Sequence, residues 1–334
     1  MRWLLSLPPW PTAGGAGGPR LTVIRHHRVY APGDRPLYRL GVTERVLEAQ
    51  VATCIGAGLT PCTVRDGLTW LASASGGRRV AFSFDDGYVD NLERALPVLQ
   101  RHGAHATLYL AAGLMESRQA PWWDELAFVL AQAANGTRSI EFGGQSTELA
   151  LHGESERRAV MTRLLPAMRV APAHQRALLD SLREQLSVST EAPCELATLE
   201  SSARWAEAGM ELGAHTLTHP FLSTLEADAQ REEIVGSAKR IREVVGADVV
   251  GLAFPNGDHD ERTLRAMHAS GLEYSVTTQS GDIVQGADRF TLPRRGLPEG
   301  AVLGPGGRFS PHMTRAEISG RFDRLRAGSS GAST

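Results

Sequence analysis

Lysine is all but missing from this chain: Lys239 is the only one, and arginine supplies the rest of the fixed positive charge. That shortage points to a GC-rich genome and not to a function. With a formal net charge of −2 and no run of basic residues, the electrostatic footprint of a nucleic-acid binder is absent. Cysteine is scarce too. Cys54, Cys62 and Cys194 are odd in number and include no CxxC spacing. Neither a disulfide framework nor a cysteine zinc site is expected, and a reducing compartment is the simpler reading. No apolar run reaches the ~18 residues needed to cross a bilayer. The opening Met1-Arg2-Trp3-Leu4-Leu5-Ser6-Leu7 stops at Pro8-Pro9, short of the ~7–15-residue core of a signal peptide. A cytoplasmic location is therefore expected, with at most peripheral membrane contact through that tip.

What is present is ordinary in bulk. Of 334 residues, 42% are hydrophobic and 22% charged, enough for one large α/β domain or two smaller ones. The informative stretch is Val80-Ala81-Phe82-Ser83-Phe84-Asp85-Asp86-Gly87-Tyr88. Val80, Phe82 and Phe84 alternate with smaller residues at the period of a strand. On a pleat Asp85 and Asp86 point to opposite faces, so one can hold a cation while the other stays free as a base. Taken alone, the stretch is equally an ordinary strand closed by an Asp-Gly turn.

The rest of the chain alternates strands and helices. A Pro/Gly-rich tail over residues 1–20 precedes a strand at Leu21-Thr22-Val23-Ile24. Helices are expected over 43–57 and 63–72, and a third is expected after Asp90 as its cap, kinked at Pro97 and ended by Gly103. A strand at 104–110 then implies a right-handed parallel crossover. Residues 116–200 read as a mostly helical insertion with one hairpin near 138–151. Trp122 and Trp123 in it are core residues or a wall for a sugar ring. Strands at 211–214, 249–254, 274–278 and 289–294 follow. Ser223-Thr224-Leu225-Glu226 reads as a capping box before a helix that stops at Gly246. The main domain is expected over 21–312, with a C-terminal helix and tail over 313–334, disordered after about 327.

Asp85/Asp86, His215/His219, Pro255/Asn256 and Arg294 all fall at carboxyl ends of expected strands, where α/β barrels keep their working residues. His215 and His219 at i, i+4 would share one face of a helical turn. With Asp86 they make two imidazoles and one carboxylate. Zinc suits that set first, with Fe2+, Co2+, Mn2+ or Ni2+ also compatible. Such a cation acidifies water and polarises a carbonyl, while Asp85 can take the proton and the Tyr88 N–H can stabilise an oxyanion. The chemistry is hydrolysis of an amide or ester.

Phe84-Asp85-Asp86-Gly87-Tyr88, His215-Thr216-Leu217-Thr218-His219-Pro220 and Phe254-Pro255-Asn256-Gly257 together resemble the polysaccharide deacetylase (NodB-homology) family, carbohydrate esterase family 4. Ile24-Arg25-His26-His27-Arg28-Val29, Ala106-Thr107-Leu108-Tyr109 and Leu292-Pro293-Arg294 extend the resemblance, which covers roughly 21–115 and 200–296. It implies a distorted (β/α)7 barrel and metal-dependent N-deacetylation, with Asp85 as base and Asp86, His215 and His219 as ligands. Relatives carry Arg-x-Pro-Tyr where this chain has Ala253-Phe254-Pro255-Asn256, so Arg294 is the expected substitute for the missing arginine. The late Leu-x-His motif that supplies the general acid is also missing. His27 is the first candidate for that acid and His26 the second. Trp123, Pro255, Asn256 and Tyr88 are the expected substrate contacts. The implied substrate is an N-acetylhexosamine unit of a polysaccharide or glycoconjugate. The alternatives are a small acetylated sugar intermediate and a carbohydrate-binding relative without turnover.

Overall fold

The computed structural model describes residues 18–34 and 36–323. Seven short strands succeed one another in chain order around its centre. They are β1 (Arg20–His26), β2 (Arg78–Phe84), β3 (Ala106–Leu110), β4 (Glu211–Ala214), β5 (Gly251–Ala253), β6 (Tyr274–Val276) and β7 (Arg295–Gly296). Each pairs in parallel with the next from β1 to β6. The result is a curled half-barrel whose two edges are bridged by segment 292–296. There Leu292 bridges Val276 in β6, and β7 pairs with Ile24 and Arg25 of β1. This is the expected distorted (β/α)7 arrangement.

Period-two alternation decides what each strand presents. Val80, Phe82 and Phe84 of β2 pack outward in one cluster with Val46, Leu47 and Val51 of helix Glu44–Gly56 and with Ile234, Ala238 and Ile241 of helix Ala227–Val245. Ala81 points the other way, into a cluster with Leu21, Val23, Tyr109, Tyr274 and Val276. Tyr109 and Tyr274 stand on β3 and β6, which are not neighbours, yet their hydroxyls are 3.1 Å apart across the interior. Tyr274 also donates to Glu211 Oε1 at 2.8 Å, and Thr107 donates to Oε2 at 2.7 Å. Burial raises the pKa of this carboxyl, and those hydrogen bonds work against the rise. Two glycines make room for the rings. A Cβ on Gly213 would come within 2.4 Å of Tyr109, and one on Gly251 within 2.1 Å of Tyr274.

Several expected details change. The strand expected at 289–294 shrinks to the single Leu292 bridge, because Pro293 has no N–H for a ladder, and pairing passes to Arg295–Gly296. A short strand that was not expected, Ile283–Val284, runs antiparallel to the start of β1. Asp90 caps no helix; its carboxylate is taken by the Val29 N–H and the Arg28 guanidinium, and a π turn over Asn91–Ala95 precedes helix Leu96–Arg101. The Ser223–Glu226 capping box does not form, since Leu222–Thr224 makes a 3-10 turn and Glu226 starts the helix without a side-chain bond. A true capping box joins Asp260 and Thr263. Gly246 ends its helix with φ 72°, as read from the sequence.

Between β3 and β4 the chain leaves the barrel for helices Trp122–Gln132, Glu154–Leu164 and Pro172–Gln185 and the hairpin Thr137–Phe142/Gln145–Ala150. These share an apolar cluster of their own that includes Leu126, Leu130, Phe142, Leu149, Leu164 and Leu182. At the N-terminus Arg20, expected in the tail, already belongs to β1; residues 1–17 and the tail after 327 lie outside the described residues. Among the described residues no helix is long and apolar enough to cross a membrane.

Gly251→Ala should overpack the barrel interior against Tyr274 and cost about 1–3 kcal/mol. Urea unfolding measures this; an unchanged midpoint would show that the ring gives way freely.

Candidate active site

Most of the candidate residues gather at one mouth of the strand ring. His27 follows β1, Asp85 and Asp86 follow β2, His215 follows β4, Asn256 follows β5, and Arg294 precedes β7. His27, Asp85, Asp86, His215, His219, Trp123 and Asn256 line a cavity of about 300 Å³.

Asp86, His215 and His219 are buried and offer ligand atoms that all lie within 4.8 Å of one another. Asp86 Oδ1 is 3.4 Å from His215 Nε2 and 3.6 Å from His219 Nε2, and it has no hydrogen-bond partner. A buried carboxylate oxygen left bare is costly, and a cation between these three atoms would satisfy it. The donor set fits a divalent ion. His215 Nδ1 lies 2.7 Å from the Ala253 carbonyl oxygen, which turns Nε2 towards Asp86. Burial and the neighbouring His215 push His219 down to about 3, so its imidazole is neutral, the form that ligates.

The local backbone differs from the expectation. Residues 215–219 form no helical turn; Thr216 and His219 both take left-handed φ values, 64° and 55°. The loop is pinned by the Thr216 hydroxyl, which accepts the His219 N–H at 3.0 Å, and by Glu233, which accepts the N–H groups of Leu217 and Thr218. Asp86 is likewise left-handed, at φ 77°, and β2 ends at Phe84. A turn, and not a pleat, sends the two carboxylates apart. Gly87 continues it at φ 86°, where a Cβ would meet Met115 Sδ at 2.8 Å.

Asp85 is held by Arg294 through a fork: Nη1 to Oδ1 at 2.6 Å and Nη2 to Oδ2 at 2.8 Å. Arg294 also donates from Nε to the Thr277 carbonyl at 3.0 Å, and its side chain is fully buried. Burial alone would raise the Asp85 pKa, but Arg294 and then His215 hold it well below the usual carboxylate range. His27 Nε2 stands 3.8 Å from Asp85 Oδ2, and burial lowers its pKa. His26 faces the other way. It stacks on Phe82 and packs at a tilt against Phe84 in the outer core, and it does not line the cavity.

Trp123 packs its ring on His219 with centroids 4.3 Å apart and donates from Nε1 to the Tyr88 hydroxyl at 2.7 Å. That hydroxyl donates in turn to Asp124 at 2.8 Å, whose carboxyl burial pushes up to about 7. Tyr88 is therefore a support behind Trp123, and its side chain is no part of the cavity wall. Pro255 is buried and off the wall as well, whereas Asn256 is on it. Sequence reading missed Arg25, Tyr38, Leu40 and Thr278 as lining residues. Arg25 had a readable signal: it continues the two-residue step of Leu21 and Val23 into the barrel mouth.

Arg294→Met should strand the Asp85 charge and cost about 3–5 kcal/mol of stability, and adding Asp85→Asn should return part of that loss. A double-mutant cycle in urea checks it; additive losses would mean the two residues do not act as a pair.

Comparison with known proteins bears on the fold and the family. A polysaccharide deacetylase family model matches residues 72–153 and 179–275, more than half of the chain. YxkH of Bacillus subtilis (strain 168) is 27% identical over 97 residues, which cover 29% of this chain and 35% of that protein, so the match spans about a third of the relative's length. Among solved structures, the Streptococcus pyogenes deacetylase PplD in complex with acetate superposes with a TM-score of 0.59 at 16% identity, covering 90% of this chain and 99% of the other. IcaB from Ammonifex degensii gives 0.57 at 16% identity, covering 90% and 97%. At such identities the superpositions speak for the fold, and it is the family match that places the sequence: the chain belongs to the polysaccharide deacetylase family.

Proposed function

We propose that this protein removes N-acetyl groups from N-acetylhexosamine units of a polysaccharide or glycoconjugate, with Asp86, His215 and His219 holding one divalent ion, zinc by preference. The observation that carries the reading is the bare Asp86 Oδ1 facing two imidazoles beside a second carboxylate that is fixed by arginine. When bound, the cation lowers the pKa of water from ~15.7 towards ~7 and polarises the acetamide carbonyl.

The chain's own groups supply the proton traffic. Asp85 Oδ2 accepts the proton of the attacking water. Arg294 keeps that carboxylate ionised and aimed, taking the place of the arginine absent at Ala253. His27 Nε2, 3.8 Å from the same oxygen, delivers a proton to the departing amine nitrogen. As the water oxygen bonds to the carbonyl carbon and the C–N bond breaks, the products are acetate and the free amino sugar. The Tyr88 N–H, in the turn after Gly87, is the proposed second donor to the carbonyl oxygen. Trp122 and Trp123 form the wall for the sugar ring, and Asn256 lines the same cavity.

Metal content and acetate release, measured together on N-acetylglucosamine oligomers, test this reading. The wild type should carry one equivalent of zinc and release acetate. His219→Ala should lose the ion. His27→Ala and Asp85→Asn should keep it and lose on the order of 10²–10⁴ in rate. Wild-type turnover in His27→Ala would place the acid elsewhere, and saccharide binding with neither metal nor acetate would make the protein a binder.

A further inference from the structure

Of the charged groups on the cavity wall, Asp85 is forked by Arg294 and Asp86 faces the two histidines, but the Arg25 guanidinium has neither a hydrogen bond nor an ion pair among the described residues. Several other partly buried arginines are matched by carboxylates. Arg28 meets Asp90 and Glu195, Arg78 meets Asp282, and Arg295 meets Asp282 and Asp323. Arg79, which has no such partner among the described residues, lies over the Trp70 ring at 5.0 Å. Arg25 is half-buried, and its neighbours in register, Ser83 on β2 and Gly296 on β7, are small enough to leave it standing in the barrel mouth. Desolvation and then the like charge of Arg294 work against its cation, and the charges of Asp85 and Asp86 offset only part of that. A guanidinium taken out of water without an acceptor is costly, and it is worth that cost where a ligand supplies one.

The charge count points the same way. Arg25 and Arg294 balance Asp85 and Asp86, so a divalent ion at the triad leaves the mouth with a formal excess of positive charge, which focuses anions. Tyr38 lines the cavity beside Arg25, and burial raises its pKa, so its hydroxyl stays protonated and able to donate.

We propose that Arg25 selects an N-acetylated saccharide bearing an anionic oxygen group, a carboxylate or a phosphate ester, which the guanidinium grips as a fork. This rests on the deacetylase reading for the bond that is cleaved, but not for the anion contact itself. Calorimetric binding and acetate release are therefore measured side by side on the full chain with zinc. The probes are N-acetylglucosamine, its 1-phosphate and N-acetylmuramic acid. The wild type should bind at least one of the two anionic sugars about tenfold or more tightly than the neutral one. Whichever of the two is preferred identifies the group, and the preference should weaken with salt. Arg25→Gln should bring that ratio near unity, and Arg25→Lys should restore part of it. Absence of a preference in the wild type, or a preference that survives Arg25→Gln, overturns the proposal. A preference that depends on Arg25 without any acetate release would uphold the anion site and sink the deacetylase reading. Acetate release with no preference would do the reverse.

Discussion

The buried fork between Arg294 and Asp85 is the contact on which most of this molecule turns. Arg294 comes from segment 292–296, which bridges the two edges of the half-barrel. Asp85 comes from the end of β2, across the mouth. The same pair of hydrogen bonds therefore ties the closing segment to the sheet and fixes the charge of a carboxylate beside the candidate ion site. Removing either partner would leave an uncompensated buried charge. Below the fork, the ring of Tyr109 lies 5.6 Å from the Arg294 guanidinium, and its hydroxyl continues through Tyr274 to Glu211. Polar groups thus run down the barrel interior, each with a partner, and Gly213 and Gly251 make space for the column by having no side chain.

Much of this was legible in the sequence because periodicity and punctuation are local signals. The alternation in Val80–Phe84 identified the strand, and Gly246 identified a helix end. The residues that converge were also legible, since Asp86, His215 and His219 each follow an expected strand, and parallel strands bring their carboxyl ends together. Arg294 could be named because the usual arginine is missing at Ala253. What could not be read was how the backbone reaches that convergence. Left-handed φ values at Asp86, Thr216 and His219 are decided by tertiary contacts, such as the grip of Glu233 on the 217–218 N–H groups, and i, i+4 spacing mimicked a helical turn. Asp90 looked like a cap but found Arg28 and the Val29 N–H sixty residues away in sequence.

The two adjacent histidines show how far one step of pleat matters. His26 belongs to the outward set of β1 and is absorbed by Phe82 and Phe84, whereas His27, one residue on, faces the cavity. The paired tryptophans combine both roles weighed from the sequence. Trp123 is almost fully buried and wedged between His219 and Tyr88, yet it still contributes to the wall beside Trp122. Its support, the chain Trp123–Tyr88–Asp124, runs from the helical insertion to the turn after Asp86, so the insertion is coupled directly to the site it borders.

Anomalous diffraction at the zinc edge from crystals grown with zinc is the most direct test of the central claim. The expected result is a single strong peak at ~2.0–2.2 Å from Asp86 Oδ1, His215 Nε2 and His219 Nε2. No peak there, or an ion held by other residues while these three stay apart, would contradict it.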